Sequence, residues 1–293
     1  MVTANRDPAG RLPDFLGVGP PRAATSWLDA VLRGHVGLPR DIKEVDFFIE
    51  NYARGIDWYA RYFADCDPNL PCGEICPSYY SPLGRERIAK HLPRCKIICT
   101  FRDPVEWRYS FYKLAVRNAW TRDDFESWVA KNPGDTHGGL RAWFDAFGRD
   151  RVLVLIHDDL AADAQSYLDG VCGFIGIDRI ALAESAVGTR KINTFSAPPR
   201  SRALARRARK LRDWLKSREA YRAINLLGRA GLWRYCFAGG AEFAPLTPEV
   251  EARLRERLRP EVEALEKLIG RELAAWKFGA DAHAAGAGRR ARG

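Results

Sequence analysis

The sequence contains no apolar run of 18 residues, and it opens Met1-Val2-Thr3-Ala4-Asn5-Arg6-Asp7-Pro8, with no apolar stretch of the signal-peptide kind. Neither stable membrane insertion nor a secretory leader is expected, and the expected compartment is cytoplasmic. Cysteine supplies no disulfide framework. The seven residues (66, 72, 76, 95, 99, 172, 236) are odd in number, and several lie in apolar runs as small core residues do. Cys72-Gly73-Glu74-Ile75-Cys76 lacks a second pair at zinc-finger spacing, so no metal is expected. The phosphate loop of ATP- and GTP-hydrolysing enzymes, GxxxxGK[ST], is also missing, which argues against a kinase or NTPase. No internal repeat occurs, and no low-complexity linker divides the middle of the chain, so one domain is preferred.

Apolar and aromatic residues are plentiful: 46% of the 293 residues are hydrophobic, including nine Trp, fourteen Phe and ten Tyr, enough for a sizeable core. The net charge of +10 favours an anionic partner. Much of it is local, in Arg200-Ser201-Arg202, Arg206-Arg207-Ala208-Arg209-Lys210 and Arg289-Arg290-Ala291-Arg292. The ordinary reading of such runs is a solvated helix face or a tail.

Phe15-Leu16-Gly17-Val18-Gly19 reads as a strand that ends in glycine and proline. Residues 25–32 then place Trp27, Leu28, Val31 and Leu32 on one helical face. Cys95-Lys96-Ile97-Ile98-Cys99-Thr100-Phe101 is a second strand, followed through Arg102-Asp103-Pro104 by a helix over 105–116. Arg151-Val152-Leu153-Val154-Leu155-Ile156 is a third, between helices expected over 140–147 and 163–175. Continuous apolar strands alternating with helices predict an α/β fold, a central parallel sheet flanked by helices on both faces. Residues 200–235 are basic and helical, and 248–268 form an amphipathic helix with Thr247 as N-cap and Pro248 in its first turn. The expected organisation is a flexible N-terminus over 1–13, one domain over 14–278 and a disordered basic tail over 279–293.

A strand that feeds a tight loop opening a helix points backbone N–H groups and the positive helix end at an anion. Here the loop is Pro20-Pro21-Arg22-Ala23-Ala24-Thr25-Ser26, with a forked guanidinium and two hydroxyls as further donors. Taken alone, the same pattern also fits a tight turn with Thr25 as a helix cap.

This loop resembles the 5′-phosphosulfate motif of the sulfotransferases that use 3′-phosphoadenosine 5′-phosphosulfate (PAPS), Gly-Val-x-Lys-x-Gly-Thr-Thr-Ser-Leu, with Arg22 in the lysine place and Ala24 in that of the second glycine. An alanine there is compatible only with negative φ, because a Cβ disfavours the left-handed region. Lys43-Glu44-Val45-Asp46-Phe47-Phe48 resembles the Lys-Glu-x-His-Phe-Phe segment of the heparan-sulfate-type branch, with Asp46 in the histidine place. Thr100-Phe101-Arg102-Asp103-Pro104, with Ser110 eight residues after Arg102, resembles the 3′-phosphate motif. Gly73-Glu74-Ile75-Cys76-Pro77-Ser78-Tyr79 resembles Gly-Glu-x-Thr-Pro-x-Tyr, a scaffold and acceptor-cleft stretch. Lys191-Ile192-Asn193-Thr194 with Pro198-Pro199-Arg200 resembles the loop that closes over the nucleotide.

The resemblance implies a P-loop-like fold and a metal-independent sulfotransferase that takes PAPS as co-substrate. Pro21, Arg22, Ala23, Ala24, Thr25 and Ser26 would hold the 5′-phosphosulfate, with Arg22 at the leaving group. Arg102 and Ser110 would hold the 3′-phosphate, with Arg200 as a further phosphate ligand. Glu44 would be the general base toward a hydroxyl or amine on a saccharide, glycosylated or other small-molecule acceptor. Its plain alternative is a surface glutamate paired with Lys43. No nucleic-acid partner is implied, and the oligomeric state is not legible. The competing function is a non-catalytic protein of the same fold that binds an anionic polymer or a membrane surface through its basic segment.

Overall fold

The computed structural model describes residues 10–132, 139–184 and 197–279. In chain order the elements run β1 (Phe15–Gly17), α1 (Thr25–Leu32), α2 (Ile56–Ala60), β2 (Gly73–Ile75), α3 (Pro82–His91), β3 (Lys96–Phe101), α4 (Pro104–Arg117) and α5 (Phe125–Lys131). They continue as α6 (Gly139–Phe147), β4 (Val152–Ile156), α7 (His157–Ala162), α8 (Ala164–Ile175), α9 (Arg202–Ser217), α10 (Tyr221–Arg229), α11 (Leu232–Phe237), α12 (Pro248–Ile269) and α13 (Ala274–Phe278). These fall into two compact units, one of residues 1–102 and 139–193, the other of residues 103–138 and 194–293.

The first unit holds an all-parallel sheet in the order β2-β1-β3-β4. Strands β1, β3 and β4 are the expected apolar runs, and every residue in them is buried or half-buried. Strand β2 is an addition: it pairs Gly73, Glu74 and Ile75 with Phe15, Leu16 and Gly17. Only three residues long and carrying a glutamate, it lacks the apolar run that marks its neighbours. Phe15, Leu28, Ile98, Tyr167, Leu168 and Val171 belong to one buried cluster, in which α1 and α8 cover one face of the sheet. Chain order reverses between β1 and β3, which makes their carboxyl edge the switch point where open parallel sheets bind ligands.

The second unit is helical among its described residues. Asp103 caps α4 by accepting from the Val105 and Glu106 amides at 2.8 and 3.2 Å, and Arg255 Nη1 of α12 donates to its Oδ2 at 2.7 Å. Arg255 also donates to Glu251 and to the Trp276 carbonyl, so one buried guanidinium joins α4, α12 and α13. Thr247 does cap α12, accepting from the Val250 amide, with Pro248 in the first turn. Among the described residues no helix is long and apolar enough to cross a membrane.

Between β1 and α1 the chain passes so close to β3 that a Cβ at Gly19 would lie 2.2 Å from the Thr100 backbone nitrogen and 2.5 Å from its Oγ1. Neither the strand backbone nor a buried threonine can yield by that much. Gly19→Ala is therefore expected to destabilise the chain by about 3 kcal/mol, the upper part of the overpacking range, measured as a shifted midpoint in urea unfolding.

Candidate functional site

The loop after β1 is built from strained backbone. The Val18 amide continues the ladder by donating to the Ile98 carbonyl at 2.9 Å, and the chain then turns through Gly19, Pro20 and Pro21. Arg22 has φ 73° and Ala24 φ 62°, both in the left-handed region. This corrects the expectation of a negative φ at Ala24: the alanine adopts the conformation that the motif's glycine normally supplies. It is held there because its carbonyl must accept from the Trp27 and Leu28 amides to start α1 immediately after the turn. Left-handed L-residues cost roughly 1–2 kcal/mol each, and such strain is characteristic of ligand-binding turns.

Helix α1 begins with no side-chain cap, since Ala24 at the N-cap position carries no acceptor oxygen and Thr25 is already the first helical residue. The tight-turn alternative with Thr25 as cap is thereby ruled out. What remains is a turn with two left-handed residues leading into the positive end of a helix, the kind of backbone arrangement that binds anions.

Two guanidinium groups come near enough there for their charges to interact. Arg102 follows β3 and the Arg22 loop follows β1, and those strands are neighbours. Burial first, and then the charge of Arg102, pull Arg22 down to about 10. A second cation raises the cost of holding the first half-buried, and an anion placed between them removes that cost. Thr100 Oγ1, buried against Gly19 at the base of the loop, has no hydrogen-bond partner among the described residues.

Glu44 lies in a segment braced by the stretch around β2. Its Oε1 accepts from Lys43 Nζ at 2.5 Å, and Lys43 also donates to the Ile75 carbonyl at 3.2 Å. The pairing of Glu44 with Lys43 is thus real, but the pair is partly buried and tied to the sheet rather than loose on the surface. Directly beneath, Glu74 is fully buried. Its Oε1 accepts from the Val45 and Asp46 amides at 2.6 and 3.4 Å, and its Oε2 from the Tyr59 and Tyr79 hydroxyls at 2.6 and 2.9 Å. The Tyr79 hydroxyl also accepts from the Phe47 amide at 2.8 Å. One carboxyl and one phenol therefore fix residues 45–47, the stretch that immediately follows Glu44. Burial pushes Glu74 up to about 7 despite these four donors.

Asp46, with φ 56°, accepts on Oδ1 from the Cys76 thiol at 3.2 Å and from the Ser78 hydroxyl. Glu44, Asp46 and Cys76 have ligand-type atoms within 4.8 Å of one another. Burial, reinforced by Glu74, Asp46 and Glu44, holds the Cys76 thiol well above its usual range, so it keeps its proton and donates it to Asp46. Within the trio, the thiol of Cys76 is hydrogen-bonded to Asp46, while Glu44 is paired with Lys43.

Of the residues singled out in the sequence, Pro21, Arg22, Ala23, Ala24, Thr25, Ser26, Glu44 and Arg102 lie in the first unit. Ser110, half-buried on α4, and Arg200 lie in the second, where Arg200 is exposed and its Nε donates to the Gly239 carbonyl at 2.9 Å. The stretch Lys191-Ile192-Asn193-Thr194 falls outside the described residues. Sequence reading missed Glu74 as the brace of the Glu44 segment. The available signal was an acid flanked by glycine and isoleucine in a stretch with no other charge.

Over 91% of this chain and 99% of the other, the structure matches a sulfotransferase from Alicyclobacillus acidocaldarius, with a TM-score of 0.63 at 21% identity. The chain has the sulfotransferase fold. Residues 43–181 match the family model described as Sulfotransferase family, a span that includes Glu44, Arg102 and Ser110 and leaves Arg22 and Arg200 outside. The chain is 32% identical over 111 residues to the membrane-associated sulfotransferase kil1 of Dictyostelium discoideum, covering 36% of this chain and 24% of that protein. It is 26% identical over 196 residues to the human bifunctional heparan sulfate N-deacetylase/N-sulfotransferase 3, covering 57% and 22%. In sequence it thus resembles the heparan sulfate branch of the sulfotransferases, and it spans about a quarter of the length of these curated relatives.

Two substitutions test this construction. Ala24→Gly removes the Cβ from a left-handed residue and is expected to stabilise the chain by about 1 kcal/mol in urea unfolding. Glu74 holds its proton to about 7 when folded and to 4.5 as an ordinary glutamate, so the folded form binds the extra proton between those values. Stability is then expected to fall as pH rises from about 4.5 to about 7, and Glu74→Gln removes that component. Relative to the parent chain, the variant should gain up to about 3 kcal/mol across this window, read from unfolding curves at successive pH values.

Proposed function

We propose that the chain transfers the sulfuryl group of PAPS to a hydroxyl or amine on a saccharide, glycosylated or other small-molecule acceptor. The observation that carries the proposal is that Arg22 and Arg102 follow neighbouring strands β1 and β3 closely enough for their charges to interact, beside a helix start that no side chain caps. The family match across Glu44, Arg102 and Ser110 supports it.

Sulfuryl transfer resembles phosphoryl transfer: charge disperses over equatorial oxygens and builds on the leaving phosphate, so catalysis consists of positioning and cationic stabilisation. In this reading Arg22, the turn amides, Thr25 and Ser26 bind the 5′-phosphosulfate, and Arg22 stabilises the leaving oxygen. Its planar fork spreads charge over two oxygens where a lysine would place it at a point. Arg102, Ser110 and Arg200 are assigned to phosphate groups of the nucleotide. Glu44 takes the acceptor's proton as the new bond to sulfur forms, and Lys43 holds its carboxylate in place. Glu74 positions residues 45–47 and so steadies the base.

Glu44→Gln is expected to lower transfer from labelled PAPS, measured against a panel of saccharide and amine acceptors, by a factor of about 100 to 10,000. Thermal stabilisation by 3′-phosphoadenosine 5′-phosphate should be retained in the same variant. Unchanged turnover would remove Glu44 from the mechanism. Stabilisation by ATP but not by the 3′-phosphorylated nucleotide would remove the sulfotransferase reading itself.

A further inference from the structure

The positive charge of this chain is concentrated in one place. Residues 202–237 contain eleven arginines and lysines against two acids, so that α9, α10 and α11 carry nine of the ten net charges. Some of these groups have internal partners: Arg202 and Arg209 donate to the Thr121 and Asn118 carbonyls, and Arg212 lies 5.6 Å from the Phe237 ring. The small residues Ala205 and Ala208 face inward against Cys236 and Phe237, which fixes the opposite side of α9 as its outer face.

That outer face is not simply polar. Along α9 and its C-cap, Arg207, Leu211, Trp214 and Arg218 recur at helical spacing, with Leu211 42% and Trp214 55% exposed and the Arg218 guanidinium 5.7 Å from the Trp214 ring centre. On α10, Leu226 is 68% exposed between Arg222 and Arg229 at the same spacing. Tyr235 of α11 is 69% exposed beside Arg234. Four of the seven exposed large hydrophobic side chains among the described residues therefore fall in the segment that holds nearly all of the net charge.

A solvated basic helix has no need of exposed tryptophan and leucine, and a sulfated polysaccharide offers no acyl region for them to enter. A bilayer carrying anionic lipid offers both, headgroup charge for the arginines and the acyl boundary for Trp214, Leu211 and Leu226. We infer that the outer faces of α9 and α10 dock this protein on anionic membrane surfaces, as a peripheral contact outside the residues assigned to transfer.

Co-sedimentation of the full chain with vesicles of phosphatidylcholine, with and without about a third phosphatidylserine, tests the inference. Binding is expected only with phosphatidylserine. The triple variant Arg207→Gln, Lys210→Gln, Arg218→Gln should weaken it by about fivefold per charge removed, and should also elute earlier from immobilised heparin. Leu211→Ala, Trp214→Ala, Leu226→Ala should weaken vesicle binding by about tenfold or more while leaving heparin retention unchanged. All six positions are on the outer faces, and far-UV circular dichroism checks that each variant is folded. The inference is overturned if phosphatidylserine vesicles do not bind the chain. It is also overturned if the apolar variant binds them as the parent does, because the face would then be a site for a soluble polyanion.

Discussion

The close approach of Gly19 to Thr100 is the constraint on which the rest of the first unit turns. A side chain at position 19 would lift the chain off β3, and the loop that follows would no longer leave the sheet between its two central strands. Because β1 pairs with β2 on one side and β3 on the other, this is the switch point of the sheet. The contact thus converts a strand order into a location where Arg22 and Arg102 arrive from adjacent strands.

Two kinds of local cost are concentrated there. Arg22 and Ala24 are held left-handed, and Arg22 is half-buried near a second cation. Neither makes sense as a contribution to stability, and both would be relieved or exploited by an anion bound in the turn, as proposed. Around Glu44 the arrangement is different. There a buried carboxyl, Glu74, accepts four hydrogen bonds and makes a loop segment rigid from below, leaving the Lys43–Glu44 pair partly accessible above it. Strain marks the proposed anion site, and rigidity marks the proposed base.

Much of this was legible in the sequence. The apolar runs of β1, β3 and β4 announced a parallel sheet, and Thr247-Pro248 announced the start of α12. The three motifs located Arg22, Glu44 and Arg102 in order along the chain. The rest depended on tertiary contacts that no local pattern encodes. Strand β2 is recognised only by its pairing with β1, and Glu74 only by the four donors that surround it. The conformation of Ala24 ran against its own propensity because helix initiation and the crowding at Gly19 together override it. Likewise the run of basic residues at 202–218 read as a solvated face until the helix phase placed Trp214 and Leu211 on the same side as Arg207 and Arg218.

The central claim is that the turn containing Arg22 and Ala24 receives the 5′-phosphate end of the nucleotide. Calorimetric titration with 3′-phosphoadenosine 5′-phosphate and with adenosine 3′-phosphate, which lacks that group, tests it most directly, in the parent chain and in Arg22→Ala. The parent should bind the first ligand at least about tenfold more tightly, as expected for charge-assisted hydrogen bonds, and the preference should collapse in the variant. Equal affinities in the parent, or a preference that survives Arg22→Ala, would contradict it.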